Sequence, residues 1–102
     1  IQMIELGGNI TLVGFKDIDH ASMLVLKKII GNYVKKFSEN HSDYERLKVT
    51  MKPIHKIEDN QKFEINTEAT KGGKSHTCNI TDKNLFFAID SSLKKIEKLL
   101  SK

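Results

Sequence analysis

Two stretches of helical periodicity enclose three stretches of strand alternation, and this pattern constrains the fold more than any other feature. The first helical stretch follows Asp19 and the second begins near Asp82–Asn84, where the side chains suit helix N-caps. The enclosed stretches alternate apolar and polar residues, which is typical of strands with one buried face. They are residues 46–52, 62–70 and 75–81. A β-branched run at residues 10–15 predicts an earlier strand, so the predicted order is β-α-β-β-β-α.

Each predicted helix has a single apolar stripe. The first stripe is Met23, Leu26, Ile30, Tyr33 or Val34, and Phe37. The second stripe is Phe86, Ile89, Leu93, Ile96 and Leu100. Because the helices and the three later strands each have one apolar face, we predict a two-layer α+β sandwich. It has a twisted four-stranded sheet with both helices on one face, and Gly31 is expected to allow close helix packing.

Turn-forming residues mark where the strands end. Lys71-Gly72-Gly73-Lys74 predicts a hairpin, and Glu58-Asp59-Asn60 predicts a turn. Pro53 indicates a sheet edge or a strand end. Residues 3–6, before the turn signal Gly7-Gly8-Asn9, form either a hairpin partner for the first strand or an extension of it.

The length and composition indicate one globular domain over residues 1–102. Apolar residues make up 38% and charged residues 29% of the 102, which suits a packed core rather than disorder. No apolar run approaches the roughly 20 residues of a membrane span, and no secretory signal is present. Cys78 is the one cysteine, which favours a reducing compartment, so we expect a cytoplasmic protein.

Positive charge is concentrated on the predicted helices. The net charge is +4; residues 20–40 carry four lysines against one acid, and residues 82–102 carry five against three. Arg46 is the one arginine among 17 basic residues. Since lysine acts as a point charge rather than a planar fork, an RNA partner is expected to be held by its phosphates.

Six helical lysines are the predicted RNA-binding residues. Lys28 and Lys35 are seven residues apart and Lys94 and Lys98 four apart, so each pair shares a helix face. The complete set is Lys28, Lys35, Lys36, Lys94, Lys95 and Lys98. A merged positive surface on both helices would follow a phosphate backbone. The alternative is an ordinary solvated helix surface, with Asp90 paired to Lys94.

The remaining candidate side chains do not indicate a catalytic site. Phe87 either stacks on a base or, as we prefer, covers a sheet edge. His76 and Cys78 share a strand face, but this spacing lacks the ligands of a metal site and the geometry of an activated thiol. We expect no enzyme activity, no cofactor, no metal site and no small-molecule substrate.

The start of the second helix resembles a known family. Asn84-Leu85-Phe86-Phe87-Ala88-Ile89-Asp90, followed by Leu93-Lys94-Lys95-Ile96, resembles the C-terminal helix of the ribosome hibernation-promoting factors, also called ribosome-associated translation inhibitors. Asn9-Ile10-Thr11 resembles the opening of these proteins, and their element order is the one predicted above.

The resemblance implies a compact domain that lodges between the head and body of the small ribosomal subunit. There it would block the sites for messenger and transfer RNA. It also implies that Phe86 and Ile89 anchor the last helix on the sheet, while Asp90 orients Lys94. The near absence of arginine, the extra N-terminal stretch and the lack of an extension for pairing ribosomes would suit a divergent relative, such as an archaeal one.

Two other functions fit the same pattern. A double-stranded RNA-binding module has a similar α-β-β-β-α core, but it carries basic residues at the start of its last helix, where this chain has only Lys83. A protein–protein adaptor would use the polar sheet face or a free sheet edge. The sequence leaves open whether the chain forms a homodimer through such an edge.

Overall fold

The computed structural model describes residues 3–7, 9–55 and 61–102. The elements are β1 (Met3–Leu6), β2 (Ile10–Val13), α1 (His20–Asn40), β3 (Tyr44–His55), β4 (Gln61–Lys71), β5 (Lys74–Asp82) and α2 (Leu85–Leu100). The predicted β-α-β-β-β-α order and α+β class are confirmed, with the short strand β1 added in front. The turn predicted at residues 58–60 lies outside the described residues.

The strands form one mixed sheet in the order β1-β2-β3-β4-β5. β2 and β3 are parallel, as the crossover through α1 requires, and the other neighbouring pairs are antiparallel. Met3 pairs with Val13 and Leu6 with Ile10. Residues 3–6 are therefore a hairpin partner of β2 rather than an extension of it, and they add a short fifth strand to the four predicted.

Both helices pack on the same face of the sheet. α2 lies against β4 and β5, while α1 contacts β3 and α2. Because β3 and β5 run in the same direction and each helix runs back along the sheet, the two helices are parallel and begin at the same end. One continuous core joins the layers, and its largest fully buried side chains include Phe15, Phe37, Leu26, Ile65 and Leu93.

The caps predicted for the two helices are present. The Asp19 carboxylate accepts a hydrogen bond of 3.0 Å from the Ser22 backbone N–H. Hydrogen bonding by the Ser22 side chain, and then by this N–H, lowers the pKa of Asp19 below its usual value. The Asn84 side chain accepts a hydrogen bond of 3.1 Å from the Phe87 N–H. These bonds satisfy backbone donors that a helix start leaves without partners, so they fix where each helix begins.

Two polar contacts hold α2 on β4. The hydroxyl groups of Thr67 and Ser92 are hydrogen-bonded to each other inside the core. At the far end of the helix, Lys71 Nζ donates a hydrogen bond of 2.8 Å to the Leu100 carbonyl. The orientation of α2 is therefore set by hydrogen bonds as well as by its apolar stripe.

The apolar stripe of α1 is confirmed, and that of α2 needs one correction. On α1 the stripe uses Val34, which is buried, while Tyr33 lies half-buried on its flank. On α2, Phe86 is 37% exposed, so the prediction that it anchors the helix is wrong. Leu85 occupies the core position instead, because it lies one full turn before Ile89, whereas Phe86 is rotated by about 100° towards the helix flank.

The hairpin predicted at residues 71–74 is confirmed. Lys71 and Lys74 are paired, and the two glycines between them have φ values of +56° and +78°. Positive φ at both central residues is what a type I′ hairpin turn requires. Pro53 lies within β3 opposite Phe63, beyond Thr50, where the pairing with β2 ends. Pro53 therefore lies where β3 is an edge of the sheet, which is one of the two positions that the sequence indicated for it.

Gly31 does not have the packing role expected of it. A Cβ atom at this position would meet no heavy atom within 4 Å, so the helix does not need a glycine for close approach. The prediction of close packing through Gly31 is wrong.

Gly31→Ala is therefore expected to stabilise the protein by about 0.5–1 kcal/mol, because alanine loses less backbone entropy than glycine on entering a helix. Urea unfolding followed by circular dichroism measures the change. A lower unfolding midpoint would show that the space beside Gly31 is needed after all.

Candidate nucleic-acid interface

The six lysines predicted to bind RNA are all exposed on the helix layer. Among the described residues, a carboxylate lies within salt-bridge distance of only one of them. This is Lys94, whose Nζ lies 3.8 Å from an Asp90 oxygen; the Lys94 side chain is 66% exposed and that of Asp90 41%. An exposed pair of this kind contributes little to stability and leaves the ammonium group available to solvent. The other five predicted lysines are therefore not paired with a carboxylate of the described residues.

A hydrogen bond between Tyr33 and Asp90 shows which sides of the helices face each other. The Tyr33 hydroxyl donates to Asp90 Oδ1 at 2.9 Å, joining residues that are 57 positions apart. Burial raises the pKa of Tyr33 to about 12, and the bond to Asp90 and the negative charge of Glu97 act in the same direction. The phenol therefore stays protonated at neutral pH and remains a donor.

The same contact identifies where each α1 lysine lies. Lys36 lies on the α2 side of α1, and its Nζ is 5.3 Å from the centroid of the Tyr33 ring, which is a cation–π distance. Lys28 and Lys35 are rotated further from the core and lie on the outer surface of the layer. The three predicted lysines of α1 thus cover the outer surface and the rim that faces α2.

On α2 the lysines are divided between two sides. Lys94 and Lys98 follow Asp90 by four and eight residues, so they lie on the outer surface next to the α1 rim. Lys95 follows Asp90 by five residues, which rotates it by about 140° to the flank facing away from α1. The fold brings five of the six predicted lysines to one surface and places Lys95 at its margin.

The floor of the groove between the helices is acidic. Asp90 and Glu97 are half-buried, and both act on Tyr33, which places them on the side of α2 that faces α1. Lys36 and Lys94 stand on the two rims above them. A phosphate backbone would therefore contact the rims and the outer surface rather than the floor.

The open face of the sheet has a different charge pattern. Lys48 lies directly opposite Glu68, and Lys52 lies directly opposite Glu64, in the register of β3 and β4. Opposite charges at facing positions attract each other across the strands. Two lysines of the open face therefore have acids at facing positions, although neither pair is close enough to form a salt bridge.

The helices expose several large apolar residues, most of which the apolar pattern did not predict. Phe87 is 57% exposed, so the preferred prediction that it covers a sheet edge is wrong. Leu24 and Val25 on α1 are 56% and 49% exposed. The signal was a run of four apolar residues from Met23 to Leu26, since a helix with one buried stripe cannot bury four in succession.

The side chains considered for catalysis are separate from this surface. His76 and Cys78 lie half-buried on β5, opposite Ala69 and Thr67, and Cys78 is a free thiol. In the described ranges, no three histidine, cysteine, aspartate or glutamate side chains come together as a metal-binding group. Neither helix of the described structure combines the length and apolarity that a membrane span requires.

Solved structures of other proteins have the same fold as this chain. No family model and no curated protein matches the sequence. A ribosomal subunit interface protein from Coxiella burnetii is 13% identical, with 91% of each chain covered and a TM-score of 0.61. The Protein Y N-terminal domain from Thermus thermophilus is 15% identical, with 90% of this chain and 91% of that chain covered and a TM-score of 0.58. The chain therefore has the fold of these two proteins, which agrees with the fold that its resemblance to the hibernation-promoting factors implied.

Proposed function

We propose that this protein is a ribosome-associated translation inhibitor that binds the small ribosomal subunit through its helix layer. The observation that carries the proposal is the exposed, largely unneutralised set of lysines on two parallel helices. The fold supports it, since one structural neighbour is described as a ribosomal subunit interface protein. The resemblance of residues 84–96 to the hibernation-promoting factors supports it independently of the fold.

The proposed contacts are between lysine ammonium groups and ribosomal RNA phosphates. Lys28, Lys35 and Lys36 would approach the backbone from α1, and Lys94 and Lys98 from α2, with Lys95 at the margin. Contacts of this kind release condensed counterions, so affinity falls steeply as salt rises. Inhibition would be steric: the domain would occupy the space that messenger and transfer RNA need, without a covalent step or a cofactor.

A double-stranded RNA-binding module has less support. In such a module the start of the last helix meets phosphates, whereas here the first turn of α2 exposes Phe86 and Phe87. An adaptor that uses the open sheet face would leave the lysines of the opposite layer without a role.

Co-sedimentation with purified small ribosomal subunits tests the proposal. The chain is expected to pellet with the subunits at low salt, to be released as salt rises, and to inhibit translation in a reconstituted system. Absence from the subunit fraction at low salt would overturn the proposal. Equal affinity for a naked RNA duplex would favour the double-stranded RNA-binding module, and salt-independent binding to proteins alone would favour the adaptor.

A further inference from the structure

The outer surface of α2 carries an aromatic ring in line with two lysines. Phe87, Ser91, Lys94 and Lys98 are separated by four, three and four residues, so they form one stripe along the helix. Phe87, Lys94 and Lys98 are exposed and Ser91 is half-buried. Lys83, just before the helix, is exposed at the same end as Phe87. The Phe87 ring therefore has Lys83 on its N-terminal side and Lys94 and Lys98 on its C-terminal side.

The core does not account for the position of Phe87. The buried stripe of α2 runs through Ala88, Ser92 and Ile96 on the opposite side of the helix. The Phe87 backbone N–H donates to the Asn84 cap, so the ring projects from a turn whose geometry is fixed. A phenylalanine with more than half its surface exposed, on a rigid first turn, offers a preorganised aromatic face.

The charges around the ring indicate what would cover it. An apolar protein surface placed over Phe87 would have to desolvate Lys94 and Lys98 without supplying counter-charges. A second copy of this chain would bring like charges together. An RNA nucleotide supplies a partner for both kinds of side chain, since its base has a π-face for the ring and its phosphates are anions for the lysines.

We propose that Phe87 is a stacking platform for an unpaired RNA base, with the adjoining phosphates on Lys94 and Lys98. This inference rests on the proposed function, and it specifies that part of the bound RNA is single-stranded. Stacking is tolerant of base identity because every base has a π-face, which agrees with a surface that has lysines but no arginine on the helices.

The test measures binding of the full chain to a short single-stranded oligoadenylate by fluorescence anisotropy. Phe87→Ala and Phe87→Leu are expected to weaken binding by about 5- to 150-fold, because both remove the ring, whereas Phe87→Tyr retains near-normal affinity. Leu24→Ala is the matched control, since Leu24 is equally exposed on α1, and it is expected to leave affinity unchanged. An oligonucleotide of the same length without bases should bind wild type and Phe87→Ala equally.

The salt dependence separates stacking from charge. Phe87→Ala should leave the slope of log affinity against log salt unchanged, whereas Lys98→Gln should reduce it by about 0.7, the value for one phosphate contact on a single strand. Wild-type affinity in Phe87→Leu would overturn the inference and point to a non-aromatic apolar contact. Failure of the wild-type chain to bind oligoadenylate would also overturn it.

The two proposals fail in distinguishable ways. If Phe87→Ala binds oligoadenylate as wild type does while the chain still sediments with small subunits, stacking is excluded and the proposed function stands. If Phe87-dependent binding to oligoadenylate is found but the chain does not sediment with subunits, the stacking site stands and the ribosomal function fails.

Discussion

A variant with Lys35, Lys94 and Lys98 replaced by glutamine is expected to bind the small ribosomal subunit roughly 100-fold more weakly at about 0.1 M salt. All three lysines are exposed on the outer surface of the helix layer. Each phosphate contact contributes a slope of about 0.7 in log affinity against log salt. Three contacts, extrapolated from about 1 M to about 0.1 M salt, therefore account for roughly two powers of ten.

The matched control replaces Arg46, Lys48 and Lys52 with glutamine. These substitutions remove the same net charge from exposed side chains, but the three residues alternate with the buried side chains of β3 and therefore lie on the open face of the sheet. Sedimentation at a series of salt concentrations measures both variants. The helix variant should lose affinity and salt dependence together, and the control should lose little of either. Equal losses in the two variants would show that net charge, rather than the helix surface, governs binding.

Gly14→Ala is expected to destabilise the fold by about 3–4 kcal/mol, the largest stability change among the substitutions considered. Gly14 has a φ of +85°, which L-residues adopt only with strain. A Cβ atom there would also overlap the backbone carbonyl oxygen of Met51 on β3. Since that oxygen is part of the β3 backbone, which is paired with β4 at Met51, it cannot move aside as the end of a side chain can.

Gly73→Ala separates the two causes of this loss. Gly73 has a similar φ of +78°, but a Cβ atom there would meet nothing within 4 Å. Only the backbone strain applies, so a cost of about 1–2 kcal/mol is expected. Urea unfolding of both variants gives the comparison. Equal losses at the two positions would show that the close approach to Met51 has no energetic consequence.

Periodicity predicted the fold well where the apolar stripe is interrupted by polar residues, as it is on most of α1. It failed at the start of α2, where Leu85, Phe86 and Phe87 are consecutive apolar residues. Ile89 lies four residues after Leu85 and three after Phe86, so either residue could begin the apolar stripe. Packing selected Leu85, because this rotation allows Ala88 and Ser92 to approach β4 and β5 closely. The hydrogen bond between Ser92 and Thr67 could not be predicted, since a serine on a helix is usually a surface residue.

The lysines of the proposed interface could be placed on helices from the sequence, but their grouping could not. The division between Lys95 and the other five depends on the contact of Tyr33 with Asp90, which links distant parts of the chain. The acidic floor of the groove depends on the same contact. Local pattern gives the side of a helix that faces the core, whereas the side that faces the other helix is a tertiary property.

The two-layer arrangement has a practical consequence for studying the chain on its target. Thr77 and Asn79 are exposed on the open face of β5, with the full thickness of the sheet between them and the helices. If the helix layer lies against the ribosome, the side chains of Thr77 and Asn79 point into the surrounding solvent. They are therefore suitable attachment points for a fluorophore or an affinity handle that reports on occupancy without touching the bound surface.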